Sequence, residues 1–270
     1  MRTLFATCLF LGVSSLAFAQ NNLEDALKNW AKRDQVTELK TAITKFEKLH
    51  EASPNDAQIL VYLTRAHFIL ADAHLSSKDD KLKHFELAYK TGEKALLLNE
   101  TYKLRVEKKE EPHFAVKALE KNEVPQIFWT AASLGRFAKT NGIMASLKYK
   151  STIVALIERV EKLDPKYFYG SVPRYWGSYY AALPGLMGGS LKKSKDFFDE
   201  SLKMAPEYVG TKVLRAETYL VGKDDKKEFK SVLEEVIKDT TYDNHPELGP
   251  ENRLEKVKAK ALLDSIDKLF

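Results

Sequence analysis

Residues 194–206 have the sequence SKDFFDESLKMAP, the clearest sign of how this chain folds. Ser194, Phe198 and Ser201 are separated by four and then three residues, so on an α-helix they share one face. Small residues on that face let a neighbouring helix come close beside the bulky one, and Pro206 then ends the helix. The segment therefore predicts one member of a closely packed helix pair.

The same spacing occurs at four places in the chain. It is the pattern of the second helix in tetratricopeptide-type (TPR) repeats, with a small, a bulky and a small residue followed by a proline. The other copies, one of them degenerate, are Ala42, Phe46, Leu49 and Pro54; Ala88, Gly92, Ala95 and Glu100; and Ile153, Ile157, Val160 and Pro165. They are unevenly spaced. We therefore predict an all-α protein, an irregular helix-pair (TPR-like) α-solenoid over residues 20–270, with a compact helical bundle as the alternative.

The remainder of the chain also has helical periodicity. The sequence contains 12 glycines and 9 prolines, which fall between periodic segments, and no stretch alternates as a half-buried strand does. Residues 101–124 are highly charged and have only a weak apolar stripe, so we expect them to be helical but peripheral. A long helix closes the chain, and its predicted apolar side consists of Leu254, Val257, Ala261, Leu262 and Leu269.

The first residues predict export. Arg2 precedes an uncharged apolar stretch over residues 4–16, and residues 17–19 (AFA) have the small residues of a signal-peptidase site, so we expect a leader over residues 1–19 that is cleaved after Ala19. The stretch is too short to remain as a membrane span. Cys8, the only cysteine, precedes most of the apolar stretch instead of following it. We therefore expect a periplasmic chain without a lipid anchor.

Charge and motif content argue against several functional classes. The formal net charge is +5, and acidic and basic residues are interspersed, which is not the footprint of a nucleic-acid-binding protein. His67 and His74 share a helix face, but two helical turns separate their rings by about 10 Å, too far to share a metal. No catalytic constellation stands out. We expect no enzymatic activity, no cofactor and no metal.

The most unusual segment is aromatic. In residues 172–189, VPRYWGSYYAALPGLMGG, Tyr175 and Tyr179 fall in one helical stripe and Trp176 and Tyr180 in the adjacent one. The band is wider than one helix contact needs. Either all four rings are core, or one stripe is core and the other faces a groove or pore, where the phenol hydroxyls bind a ligand or partner.

A turn follows the aromatic helix. Pro184 and Gly185 predict the end of that helix, and Gly188 and Gly189 permit a tight turn before the next one. The glycine pair lacks the preceding strand and the spacing of a phosphate-binding loop. The simplest interpretation is a helix–turn–helix connection.

Residues 172–206, continuing through residues 207–208 and 211–216, resemble the T component of tripartite ATP-independent periplasmic (TRAP) transporters. The signature of that family looks like RY-x-G-x-Y-Y-A-x-L-P-G, then a Gly-Gly-rich turn and an F-x-x-(A/S)-L helix that ends in a proline. Residues 124–135, VPQIFWTAASLG, are similar to the family's other recognisable block. The similarity covers roughly residues 30–270.

The resemblance implies a periplasmic helical-repeat protein that docks the transporter's solute-binding P component. It also implies self-association, for example as a trimer, around an apolar pore that holds or passes a small hydrophobic ligand. Many members of the family are lipoproteins, and the leader of this chain departs from that pattern. The alternative is a general envelope scaffold unrelated to transport. The residues expected at the pore, ligand site or partner groove are Trp129, Arg174, Tyr175, Trp176, Tyr179, Tyr180, Pro184, Gly185, Gly188, Gly189 and Lys212.

Overall fold

A computed structural model of the protein describes residues 22–270. The predicted leader, its cleavage position after Ala19 and Cys8 lie outside these residues. Within residues 22–270 the regular secondary structure is helical, without a strand. None of the helices in this part of the chain is both long and apolar enough to cross a bilayer.

The helices follow one another with short connections. Two π-helical segments, Leu70–His74 and Ala216–Leu220, extend α3 and α11, and single 3-10 turns lie at Val116–Ala118, Lys121–Glu123 and Gly185–Met187. The α-helices are α1 (residues 22–30), α2 (Val36–Ala52), α3 (Ala57–Ile69), α4 (Lys78–Leu96), α5 (Glu100–Glu107), α6 (Pro112–Ala115), α7 (Val124–Asn141), α8 (Ile143–Leu163), α9 (Tyr167–Ala182), α10 (Leu191–Met204), α11 (Gly210–Arg215), α12 (Lys226–Lys238), α13 (Leu248–Asp264) and α14 (Ile266–Leu269).

The chain divides into two compact units. The first contains the described residues up to Lys109 together with Trp129–Lys150, and the second contains Glu110–Phe128 and Ser151–Phe270. In the first unit α3 packs against α2 and α4, and in the second α9 packs against α10 and α12 against α13. Packing of consecutive helices is the arrangement that helix-pair repeats require. The single repeat domain over residues 20–270 stays a prediction.

The repeat spacing correctly identifies the buried faces. The first three residues of all four copies are buried within their helices, and they are Ala42, Phe46, Leu49, Ala88, Gly92, Ala95, Ile153, Ile157, Val160, Ser194, Phe198 and Ser201. The three prolines of the pattern lie two residues beyond the ends of α2, α8 and α10. The prediction of packed helix pairs is confirmed.

Residues 101–124 are helical as predicted, but in short segments, and they are not wholly peripheral. Helix α5 ends at Glu107, and Lys109 has a left-handed backbone with φ of 56°. Three short helical segments follow, and Ala115, Val116 and Leu119 on or beside them are buried. A few apolar residues anchor this region to the interior of the protein, although most of its residues are charged or polar.

The predicted apolar side of the closing helix is only partly correct. Leu262 packs against the core, but Val257 is 65% exposed, and Ala261 and Leu269 are exposed as well. The buried face of α13 includes Ala259 and the polar Asn252, whose amide donates to the carbonyl of Glu207 at 3.0 Å. A pattern built from apolar residues alone cannot predict the burial of a polar residue that holds a loop.

Candidate functional site

Helix α9 begins in a backbone conformation that is rare for side-chain-bearing residues. Phe168, Tyr169 and Gly170 have φ values of 44°, 55° and 66°. For non-glycine residues the left-handed conformation costs roughly 1–2 kcal/mol each. The surrounding side chains offset this cost: Arg174 Nη1 donates to the carbonyl of Tyr169 at 2.7 Å, and Ser201 Oγ donates to the carbonyl of Gly170 at 2.9 Å.

Arg174 is buried at the centre of this turn. Its guanidinium also donates to Phe168 O and to Thr211 Oγ1, both at 3.3 Å, and lies 4.5 Å from the centre of the Tyr208 ring. Burial lowers the pKa of Arg174 from its ordinary value. The predicted groove residue thus has intramolecular partners on several sides, and a role toward another molecule stays a prediction.

Close contact between α9 and α10 depends on small residues in both helices. A Cβ added at Gly177 would come within 2.8 Å of the Phe198 ring, and Ser194 Oγ donates to the carbonyl of Gly177 at 2.7 Å. At the start of α9, a Cβ added at Gly170 would come within 3.1 Å of Ser201 Oγ. This is the packing that the spacing in residues 194–206 predicted.

Four aromatic side chains in the second half of α9 form a continuous band. Tyr175 stacks on Tyr179 with ring centres 6.1 Å apart, and Trp176 lies 6.4 Å from Tyr180, so the two predicted stripes are present. The indole Nε1 of Trp176 donates to Glu161 Oε2 at 3.3 Å. Burial raises the pKa of the Tyr175 hydroxyl well above its ordinary value, which keeps this group protonated at neutral pH.

Burial differs little between the two stripes. Trp176 is buried, Tyr175, Tyr179 and Tyr180 are half-buried, and Ala182 is exposed. The assignment of one stripe to the core and the other to a groove or pore stays a prediction, and the C-terminal end of α9 is the more exposed end of the band. The end that reaches solvent contains Tyr179 and Tyr180.

An open depression lies beside the end of this band. The Tyr180 ring stacks on Phe197 of α10 at 5.7 Å with an interplanar angle of 3°, and Lys193 Nζ lies 5.0 Å from the centre of the Tyr180 ring. Asp196 and Glu200 complete the lining of a volume of about 300 Å³. Phe197 was not among the predicted site residues, although Phe197 and Phe198 are adjacent and cannot both point to one helix face.

The turn after α9 is held rigidly by hydrogen bonds and by its glycines. The amides of Met187 and Gly189 donate to the carbonyl of Pro184 at 2.9 and 3.1 Å. Gly188 has a φ of 94°, and a Cβ at Gly189 would collide with the carbonyl oxygen of Leu183. This turn presents Leu186 fully to solvent and leaves Met187 42% exposed. The turn thus offers two neighbouring apolar side chains in a fixed position beside the end of the aromatic band.

Trp129 and Lys212 are the predicted site residues outside α9 and the turn after it. Trp129 is buried in the first unit, where the Arg65 guanidinium lies 4.8 Å from its ring centre and the Phe68 ring 5.6 Å away. Lys212 Nζ forms an ion pair with Glu235 Oε1 at 2.6 Å. The structure thus brings together the aromatic residues of α9 and the turn after them. Their function as a site, and that of Trp129 and Lys212, stays a prediction.

The histidines form a contact that the sequence did not suggest. His67 Nδ1 lies 3.1 Å from His84 Nδ1 on α4, whereas His74 Nε2 lies 3.1 Å from the carbonyl oxygen of Arg33. Among residues 22–270 no group of three or more histidine, cysteine, aspartate or glutamate side chains could hold a metal ion.

These helix pairs define the class of the protein: an all-α, irregular helix-pair (TPR-like) α-solenoid. The fold is similar to that of a thermophilic TPR protein from Thermus thermophilus, with a TM-score of 0.55, 16% sequence identity, and coverage of 91% of this chain and 99% of that one. At this identity the likeness concerns the fold alone.

Residues 37–270 match the sequence profile of the TRAP transporter T-component, and the chain belongs to this family. No curated protein matches the chain in sequence. The family and the fold are non-catalytic ones.

Proposed function

We propose that this protein is a periplasmic accessory component of a TRAP transporter that docks the transporter's solute-binding component. Membership in the T-component family supports the transporter assignment, and the leader predicted over residues 1–19 supports the location. The observation that carries the docking proposal is the exposed end of the α9 band and the turn beside it. We name Tyr179, Tyr180, Leu186, Met187 and Phe197 the docking surface.

The chemistry of the docking surface suits protein recognition. Tyrosine contributes a large contact area with few rotatable bonds, and it is enriched among the residues that dominate binding energy. Stacking of Tyr180 on Phe197 and the hydrogen bonds of the turn fix these groups before a partner arrives. Binding then loses little conformational entropy.

Charged residues border the docking surface. Lys193 lies against the Tyr180 ring, and Asp196 forms an exposed ion pair with Lys192 at 3.0 Å. A polar rim around an apolar centre is the usual arrangement of interfaces between proteins that also exist apart. This arrangement favours a partner that associates reversibly, as a solute-binding component must.

The proposal extends to a small hydrophobic ligand and to self-association. The depression lined by Tyr180 and Phe197 has a volume at the lower end of the range for small-molecule sites. A ligand there would lie on the aromatic rings, and passage along the band through a pore of a homo-oligomer, such as a trimer, belongs to the same proposal. Native mass spectrometry of the purified protein tests both points, because it reports the subunit number and any co-purified apolar mass.

Capture from envelope extract tests the docking proposal. The tagged protein is expected to retain a solute-binding protein, identified by mass spectrometry. The double variant Leu186→Ser/Met187→Ser is expected to retain about tenfold less, because it removes the exposed apolar pair. The matched control is Val257→Ser, which removes an exposed apolar side chain from α13 of the same unit.

Two results would contradict the docking proposal. One is capture only of envelope proteins unrelated to transport, which would favour the general scaffold. The other is equal capture by the Leu186→Ser/Met187→Ser variant and the Val257→Ser control, which would place the interface elsewhere.

A further inference from the structure

The depression beside Tyr180 has more negative than positive charge in its lining. Its charged side chains are the two carboxylates of Asp196 and Glu200 and the single ammonium group of Lys193. All three are exposed residues of α10, and their spacing of three and then four residues places them along one side of that helix. The lining is therefore acidic, although the chain as a whole has a formal net charge of +5.

The three charges differ in how far other groups already engage them. Lys193 Nζ lies 5.0 Å from the centre of the Tyr180 ring, which attracts its positive charge. Asp196 pairs with Lys192 at 3.0 Å, but both side chains are largely exposed, and such a pair contributes little. Within residues 22–270, Glu200 has no ion pair. The charge that remains available to another molecule is therefore that of the carboxylates.

The aromatic part of the lining lies next to these carboxylates. The rings of Tyr180 and Phe197 are parallel, with centres 5.7 Å apart and an interplanar angle of 3°. A guanidinium group suits such a lining, because it is planar, stacks on aromatic rings and donates paired hydrogen bonds to carboxylates. An ammonium group is more strongly hydrated and lacks the planar shape, and an aliphatic group would leave the carboxylates without a partner.

We infer that the depression receives an arginine side chain of the docked solute-binding component. The guanidinium lies against the aromatic rings of Tyr180 and Phe197 and pairs with Glu200 and Asp196. The inference rests on the docking proposal and adds to it the chemical group that the partner contributes. Arginine is enriched among the residues that dominate binding energy, and complementary charges at an interface select the partner and fix its orientation.

Calorimetric titration with the solute-binding component that the wild type captures tests the inference. Glu200→Gln should bind about fivefold more weakly, because the carboxylate that pairs with the guanidinium is lost. Glu200→Lys should bind more weakly still, because it places a like charge opposite the arginine. Both differences should shrink as salt is added, since salt screens exposed charges. Lys193→Gln, which removes the one ammonium group of the lining, should bind at least as tightly as the wild type.

The matched control is Asp199→Asn. It neutralises an exposed carboxylate of the same helix, but Asp199 lies outside the lining of the depression. Binding should equal that of the wild type, which separates the local effect of Glu200 from a general effect of net charge. Circular dichroism melting should be unchanged in all these variants, because the substituted side chains face solvent.

Three outcomes overturn the inference. The first is equal affinity of the wild type and Glu200→Gln. The second is weaker binding by Lys193→Gln while Glu200→Gln binds normally, which would mean that the partner contributes an acidic group. The third is an apolar molecule retained in the complex and seen by native mass spectrometry, which would mean that a small ligand fills the depression.

Failure of the docking proposal itself gives a different result. The wild type would then capture no solute-binding component, and the inference would fall with the proposal. If capture depends on Leu186 and Met187 but not on Glu200, docking stands and only the assignment of an arginine to the depression is wrong.

Discussion

At the scale of single residues, the contact between His67 and His84 has a direct consequence for stability. Two imidazole nitrogens 3.1 Å apart share one hydrogen, so one ring donates and the other accepts. Burial, and to a lesser extent the charge of His84, lowers the pKa of His67 to about 4. Burial also lowers the pKa of His84, with Lys83 and Lys40 acting in the same direction and Asp80 opposing them.

The histidine pair predicts a loss of stability in mild acid. Because the folded-state pKa of His67 is below the ordinary value of 6.5, the unfolded chain binds more protons as the pH falls. The contribution of the pair is therefore complete above pH 6.5 and lost progressively toward pH 4, by about 2–3 kcal/mol. Urea unfolding of the wild type and of His67→Gln between pH 7.5 and pH 4.5 checks this. The wild type should lose more stability over this range than the variant, and parallel profiles would show that the pair does not titrate with folding.

At the scale of elements, the buried faces of α2, α4, α8 and α10 could be predicted from the sequence. The spacing of small and bulky residues is a local property that follows from helix geometry, so it needs no knowledge of the partner helix. The same holds for the two stripes of α9. What the pattern could not give is which part of a stripe is covered, since that depends on where α10 begins and ends.

Features set by contacts distant in sequence could not be predicted. The left-handed run at residues 168–170 is held by Arg174 and by Ser201 of another helix, and only Gly170 hinted at it. The partner of His67 lies 17 residues away, across a helix–helix contact. The buried face of α13 contains Asn252, whose amide holds a loop more than 40 residues earlier in the chain. Polar residues with such roles do not follow hydrophobic periodicity.

Alanine substitutions at two helical glycines should have opposite effects on stability, because only Gly177 lies in the close contact between α9 and α10. Gly177→Ala places a methyl group against the Phe198 ring and should destabilise the protein by about 1–3 kcal/mol, because overpacking outweighs the gain in helix propensity. Gly135→Ala in α7 meets no atom within 4 Å. It should stabilise the protein by up to about 1 kcal/mol.

Thermal unfolding of the two glycine variants, measured side by side, gives the comparison. A Gly177→Ala variant as stable as Gly135→Ala would mean that α10 can withdraw from α9 without cost, and that close packing is not what the small residues provide.

At the scale of the whole molecule, the docking surface belongs to the second compact unit, as does the α9–α10 helix pair that positions it. It combines aromatic and apolar side chains with a rim of mixed charge, which suits a protein partner.

Calorimetric titration of this protein with the solute-binding component that it captures tests the central claim most directly. The change is Tyr180→Ala, which removes the exposed end of the aromatic band and its stacking on Phe197. The account predicts binding weaker by about 2 kcal/mol, roughly a 30-fold rise in Kd, with Val257→Ser binding as the wild type does. Equal affinities for the wild type and Tyr180→Ala would contradict it.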